Sequence, residues 1–263
     1  LVTAHLARRR AGERHPVEDF MFTYYSFRPA ALRRWHPGPG VLLAGATEVP
    51  KGHRAGERGV GLDPAYVRRR RQRVRWARDL LAATTRRAPS FGCLGLHEWA
   101  MVYRTPPGQV RHASWPLRLG SAGTDAVVER HRIACTHYDA FRFFTAPARP
   151  RNTVQPSRGQ QPRLEQPGCL HAGMDLYKWA YKLSPMAPAE LIADCFELAR
   201  EIRVLDMRAS PYDLSALGYS PVRIETAAGK REYAEQQRAF ADRAAPLRRR
   251  LVDLCDRLLE LTG

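Results

Sequence analysis

Nothing in the sequence approaches the roughly 18 to 20 uninterrupted apolar residues that a membrane-spanning helix needs, so no membrane partner is expected. The N-terminal stretch LVTAHLARRRAGERHP carries arginines but no apolar core of the signal-peptide kind. A cytoplasmic location is therefore expected, and because the first residue is Leu1, an initiator segment is expected to have been lost. Cysteine is scarce: Cys93, Cys135, Cys169, Cys195 and Cys255 are dispersed, with no C-x-x-C pair. That spacing argues against a disulfide framework and a zinc knuckle, and predicts reduced, mostly buried thiols. Lysine is scarcer still, since only four of the 43 basic residues are lysine.

What is present in excess is arginine. The chain carries a net charge of +17 over 263 residues, and a polyanion gains most from so many cations through counterion release. With 44% hydrophobic residues the chain is long enough for one large domain or two small ones with a proper core. The positive charge is clustered in LDPAYVRRRRQRVRWARDLLAATTRR, where Asp63 stands at an N-cap position and Pro64 in the first turn. Val67, Val74, Ala77 and Leu81 give one apolar face, and Arg68, Arg69, Arg70, Arg71, Arg73, Arg75 and Arg78 surround the rest. Such a helix suits a phosphate backbone, with Trp76 placed to stack or to pack. FTYYSFRP and LRRWHPG add Arg33, Arg34 and Trp35 to this basic and aromatic inventory.

Further along, PAELIADCFELAREIRVLDM places Ile192, Cys195, Phe196, Ala199 and Ile202 on one helical face. APLRRRLVDLCDRLLELTG carries Leu247, Leu251, Leu254, Leu258 and Leu261 as an apolar seam, facing either the domain or a second copy. Monomer or weak dimer through that seam is the expected state. Pro246 is expected to separate this helix from one covering KREYAEQQRAFADRAA. APARPRNTVQPSRGQQPRLEQPGC, with five prolines, reads as a long loop or linker. These periods predict a mainly α, multi-helix globular fold with a long Pro/Arg-rich loop and few or no strands. The expected division is an N-terminal part over 1–145, the loop at 146–168 and a C-terminal part over 169–263, or one single domain.

Three carboxylates stand in settings suited to chemistry. Asp139 lies in THYDAFRFF beside aromatic residues, although Thr136 and Asp139 also form a capping-box pattern. Asp175 follows His171 by four residues in CLHAGMDLYKWAYKLSPM, which puts both on one helical face. Glu98 follows His97 in SFGCLGLHEWAMVYR, about 100° away from it on a helix, so the two need help to reach one site. A metal reading takes ligands from His97, His137, His171 and Asp175, with no HExxH or ExxH repeat to complete the shell.

HPVEDFMFTYYSFRPAALRRWHPGPG, CLHAGMDLYKWAYKLSPM and LDMRASPYDLSALGYSPVRIETAAGKREY resemble a family of actinobacterial proteins that carry the name 3-methyladenine DNA glycosylase. The chain resembles neither the helix-hairpin-helix glycosylases nor the mainly β alkyladenine glycosylase. The resemblance implies hydrolysis of the N-glycosidic bond to an alkylated purine, with alkylated duplex DNA as partner and no cofactor. It calls for one carboxylate near the anomeric carbon, in the order Asp139, Asp175, Glu98. An aromatic pocket would be drawn from Trp99, Tyr103, Trp115, Tyr138 and Trp179. Two alternatives remain: a metal-dependent (iron or manganese) helical enzyme acting on a small molecule, and a nucleic-acid-binding protein without catalysis.

Overall fold

The basic stretch begins a helix where expected and then breaks. A computed structural model of the chain, which describes residues 1–106 and 114–262, shows Asp63 Oδ1 accepting from the Ala65 backbone N–H at 2.9 Å, with Pro64 in the first turn. The single helix expected there is two, Pro64–Arg68 and Arg71–Thr85, because Arg70 leaves helical geometry (φ −114°, ψ 5°) between them. The expected apolar face is kept across the break, with Val67, Val74, Ala77 and Leu81 all buried.

The described residues form two compact units. Unit 1 comprises Leu1–Arg86, Met174–Arg200 and Ala244–Gly263; unit 2 comprises Arg87–Gly173 and Glu201–Arg243. Both the 1–145 and the 169–263 stretches contribute to each unit, so the units do not follow chain order.

Unit 1 opens with α1 (Thr3–Arg10), α2 (Phe20–Thr23) and α3 (Pro29–Leu32). A small antiparallel sheet follows, made of β1 (Leu42–Leu43), β2 (His53–Gly56) and β3 (Gly59–Leu62) in the order β1-β3-β2. The β2–β3 hairpin closes on the pair Gly56–Gly59. Gly59 has φ +127°, and a Cβ there would lie 2.6 Å from the Leu43 carbonyl oxygen, so only glycine fits. Next come α4 (Pro64–Arg68) and α5 (Arg71–Thr85). The core of the unit includes the buried face of α5 and an aromatic cluster in which Tyr177 meets Tyr25, Tyr181 and Phe196 edge-on at 5.1 to 5.3 Å.

Unit 2 contains α6 (Leu96–Ala100), α7 (Gly120–Arg130), α8 (Tyr138–Phe141) and α9 (Gln161–Leu164). Three further helices, α10 (Leu170–Lys182), α11 (Ala189–Arg208) and α12 (Ala227–Glu260), contribute residues to both units. On α11 the expected face holds: Ile192, Cys195, Phe196, Ala199 and Ile202 are all buried. α12 corrects the expected break at Pro246, which sits inside one continuous helix. Pro246 is exposed, so the carbonyl that loses its helical partner lies on a solvent-facing side. Leu251, Leu254 and Leu258 are completely buried in unit 1, so the seam is already covered by the chain itself; Leu261 remains 44% exposed.

The Pro-rich stretch is not a tether. It contains 3-10 turns at Arg149–Arg151 and Arg158–Gln160 besides α9, and it packs into unit 2. Asn152 holds it there: its side-chain oxygen accepts from the Cys135 backbone N–H at 2.8 Å, and its amide donates to the Cys135 carbonyl at 2.9 Å. Among the described residues no helix is long and apolar enough to cross a membrane.

Candidate functional site

Two regions hold groups that chemistry or recognition could use, one in each unit. In unit 1, Arg69, Arg70, Gln72, Arg73 and Trp76 line an open concavity of about 400 Å³. α5 presents Gln72, Arg73 and Trp76 there because its opposite face carries Val74 and Ala77 into the core, and Arg69 and Arg70 come from the break between α4 and α5. Trp76 is 40% exposed and rests against Trp179, with ring centroids 4.8 Å apart. The eight nucleic-acid candidates divide. Arg71 is tied to the Leu259 carbonyl at 2.8 Å and to Thr262, and Arg70 lies over the Tyr66 ring at 3.6 Å. Arg68, Arg73 and Arg75 are exposed and form no ion pair among the described residues; Arg69 is an exposed 3.9 Å neighbour of Asp63. Arg33 and Arg34, at the end of α3, are also exposed.

In unit 2 the polar groups converge inside the core. His97 on α6 directs Nε2 at Asp206 Oδ1 of α11, 2.7 Å away, and its Nδ1 at Cys93 Sγ, 3.4 Å away. Arg203, one turn before Asp206, donates from one nitrogen to Asp206 Oδ2 and to Glu98 Oε1, each at 3.0 Å. The help that His97 and Glu98 need to serve one network thus comes from the i, i+3 pair on α11. The His171 ring stands edge-on to His97 at 4.4 Å and stacks on His137 at 5.3 Å. His97, His171 and Asp206 each offer a ligand atom within 4.8 Å of the others. His137 Nε2 lies 3.4 Å from Glu165 Oε1.

These side chains adjoin a cavity of about 10 Å³, room for the centre of roughly one water-sized sphere. Cys93, Cys135, Cys169, His97, His171 and Gln237 line it. The electrostatics follow from burial and neighbours. Burial disfavours charge on His97, but Asp206 and Cys93 outweigh it and hold the imidazole well above its ordinary value. Burial likewise works to raise Asp206, and His97, then His171 and Arg203, overcome it, leaving the carboxyl well below the usual range. Glu98 is pushed up, by burial first and by Asp206 second, against Arg203. The hydrogen bond from Cys135, with His97 behind it, holds the Cys93 thiol well below the ordinary value, while Cys135 and Cys169 are pushed up.

The candidate carboxylates are not gathered in one place. Glu98 is buried on Arg203 in unit 2. Asp175, on α10, is paired with Lys178 and accepts from the Tyr25 hydroxyl at 3.3 Å in unit 1. Asp139 lies on α8, 3.3 Å from Arg142. The capping-box pattern does not form, since His137 is the N-cap residue of α8 and makes no side-chain cap. The aromatic candidates are dispersed too. Trp99 is fully buried and donates its indole N–H to the Ala209 carbonyl at 2.9 Å; Tyr103 is buried with its hydroxyl on Glu129 at 2.9 Å. Both therefore belong to the core, and their faces are not open to a base. Trp179 packs on Trp76, while Trp115 and Tyr138 are half-buried.

Of the metal candidates, His97, His137 and His171 come together in unit 2. Sequence reasoning missed Cys93, Cys135, Cys169, Arg203 and Asp206. The one local signal for the last two is a charged i, i+3 pair inside the apolar run of α11, which marks buried ionic groups needing partners. Comparison with protein-family models, with curated proteins and with solved structures yields no match.

Proposed function

We propose that the chain binds nucleic acid through the arginine face of unit 1 and that its chemistry is the excision of an alkylated purine. The observation that carries the proposal is the open concavity lined by Arg69, Arg70, Arg73 and Trp76, flanked by exposed Arg68 and Arg75. Cations beside an aromatic face are what a phosphate backbone with an accessible base engages, and the net charge of +17 favours the same partner. The resemblance of the sequence blocks to the glycosylase family supplies the reaction.

An N3-alkylated purine is cationic and already a good leaving group. The protein must then hold the extruded nucleotide and place a carboxylate near the anomeric carbon, where positive charge develops. Exposure ranks the candidates for that role. The Asp139 side chain is 19% exposed, against 8% for Glu98 and 3% for Asp175. The most exposed of the three, Asp139, is therefore the preferred acid.

Free-base release from a methylated duplex tests the chemistry, run beside Asp139→Asn. Release by the native chain is expected, with a loss on the order of 100-fold or more in the variant. Duplex affinity measured against salt tests the surface: replacing Arg68, Arg73 and Arg75 with serine should lower the salt slope by about one for each phosphate that is no longer neutralised. Absence of base release, together with binding that ignores salt, would overturn the proposal.

A further inference from the structure

We propose that His97, His171 and Asp206 hold one divalent first-row transition-metal ion in unit 2, as an open site of two imidazoles and one carboxylate. The site lies in the other unit from the arginine face and does not depend on the excision reading. Each of the three side chains offers a ligand atom within 4.8 Å of the other two, and they come from three elements, α6, α10 and α11. His97 directs Nε2 at Asp206 Oδ1, 2.7 Å away, and the His171 ring stands edge-on to the His97 ring with centroids 4.4 Å apart. Ligand atoms bound at about 2.1 Å stand roughly 3.0–3.4 Å from their neighbours, so Nε2 and Oδ1 part by less than about 1 Å while the His171 nitrogen closes on them. Two nitrogens and one oxygen with further positions open are the donor set of catalytic zinc and of non-haem iron(II), whereas magnesium and calcium prefer oxygen alone.

The neighbours of the three side chains fix them as ligands. His97 Nδ1 lies 3.4 Å from Cys93 Sγ, an outer partner that takes the second ring N–H and so leaves Nε2 to the ion. Arg203 donates to Asp206 Oδ2 at 3.0 Å, which orients the carboxylate and keeps Oδ1 as its one ligand atom. The His97 and Asp206 side chains are 2% and 0% exposed, and groups of that kind so deeply buried are paired or coordinate a metal. On binding, His97 Nε2 releases its proton to solvent and the ion takes its place between the imidazole and the carboxylate; no electron changes hands. Both imidazoles also line the cavity of about 10 Å³, which has room for one water as a further ligand. Gln237 lines it too, is 1% exposed, and its Oε1 has no hydrogen-bond partner among the described residues. An acceptor in that position suits a metal-bound water, which has hydrogens to donate.

The test uses the full chain, stripped with a chelator and equilibrated in separate anaerobic samples with zinc(II), iron(II), cobalt(II) and magnesium. Mass-spectrometric metal analysis after desalting should give about one ion per chain for zinc or iron(II) and none for magnesium. The cobalt form should show visible ligand-field bands, hyperfine-shifted ring N–H resonances from both histidines and no thiolate-to-metal charge transfer, a readout that needs no variant. His171→Ala and Asp206→Asn should each weaken zinc by about 100-fold or more, and Cys93→Ala by roughly 10-fold. His131→Ala, whose ring is engaged by the Val127 carbonyl outside the cluster, should leave zinc affinity unchanged. A chain that retains no transition-metal ion, a cobalt spectrum with thiolate charge transfer, or equal losses in His131→Ala and His171→Ala would each overturn the proposal.

Discussion

Replacing Arg203 with methionine is expected to be among the most damaging single changes in unit 2. Its guanidinium stands between two carboxylates, bonded at 3.0 Å to Glu98 and at 3.0 Å to Asp206, and all three side chains are at most 8% exposed. Methionine keeps most of the apolar stem, so the loss is one of charge pairing and not of volume. Two hydrogen bonds to charged groups contribute about 1.5–3 kcal/mol each, and removing one partner from a buried ionic group typically costs about 3–5 kcal/mol. A loss of about 3–5 kcal/mol is therefore expected in urea unfolding followed by circular dichroism. Adding Glu98→Gln should restore part of that loss, because the carboxylate left bare is then neutral.

The pH dependence has a definite sign. Burial already raises Glu98, and without Arg203 it rises further, so Glu98 in the variant contributes stability below its unfolded value and loses it as pH climbs through the folded one. The deficit of Arg203→Met should accordingly be smaller at pH 5 than at pH 8. A variant within about 1 kcal/mol of the native chain at both values would refute the account of the network.

Asp19 in unit 1 accepts from Arg8 at 2.5 Å, from the His15 backbone at 2.9 Å, and pairs with His5, which together bring its carboxyl down to about 2 despite burial. Its contribution is present above the unfolded value near 4 and disappears as pH falls toward 2; Asp19→Asn should remove about 2 kcal/mol at pH 7 and flatten the acid limb of a stability-against-pH curve. Gly229 lies in the first turn of α12, where a Cβ would come within 2.0 Å of the Arg223 carbonyl oxygen. Gly229→Ala should lower the thermal midpoint by several degrees, although alanine is the better helix former, and an unchanged midpoint would contradict that packing. Leu258→Ala removes a fully buried side chain from the seam of α12 and should cost about 2–5 kcal/mol by chemical denaturation, against under 1 kcal/mol for the exposed Leu261→Ala.

The sequence shows the elements whose burial repeats along one helix face. α5 and α11 are legible because one apolar residue per turn must meet the core, whatever lies across from it. The sheet is not, since β2 and β3 are short, glycine-rich and without alternation, and are held by pairing, β3 with both β2 and β1, instead of by a repeating apolar pattern. Pro246 misleads for a related reason: proline weakens a helix locally, and the burial of Tyr233, Gln237 and Ala244 before it and of Leu251, Leu254 and Leu258 after it keeps α12 whole. The unit 2 cluster was the least accessible. His97 and His171 are recognisable as candidates, but the cysteines come from separated segments that share no spacing, and Asp206 gains meaning only when α6 is seen against α11.

The chain passes between the two units after Arg86, Gly173, Arg200 and Arg243, and the last three of these passages lie within α10, α11 and α12. No single cut of the polypeptide separates one unit intact from the other. A gene fragment ending in the Pro-rich stretch would encode both units in part and neither in full. The two units therefore have no counterpart as two halves of the gene.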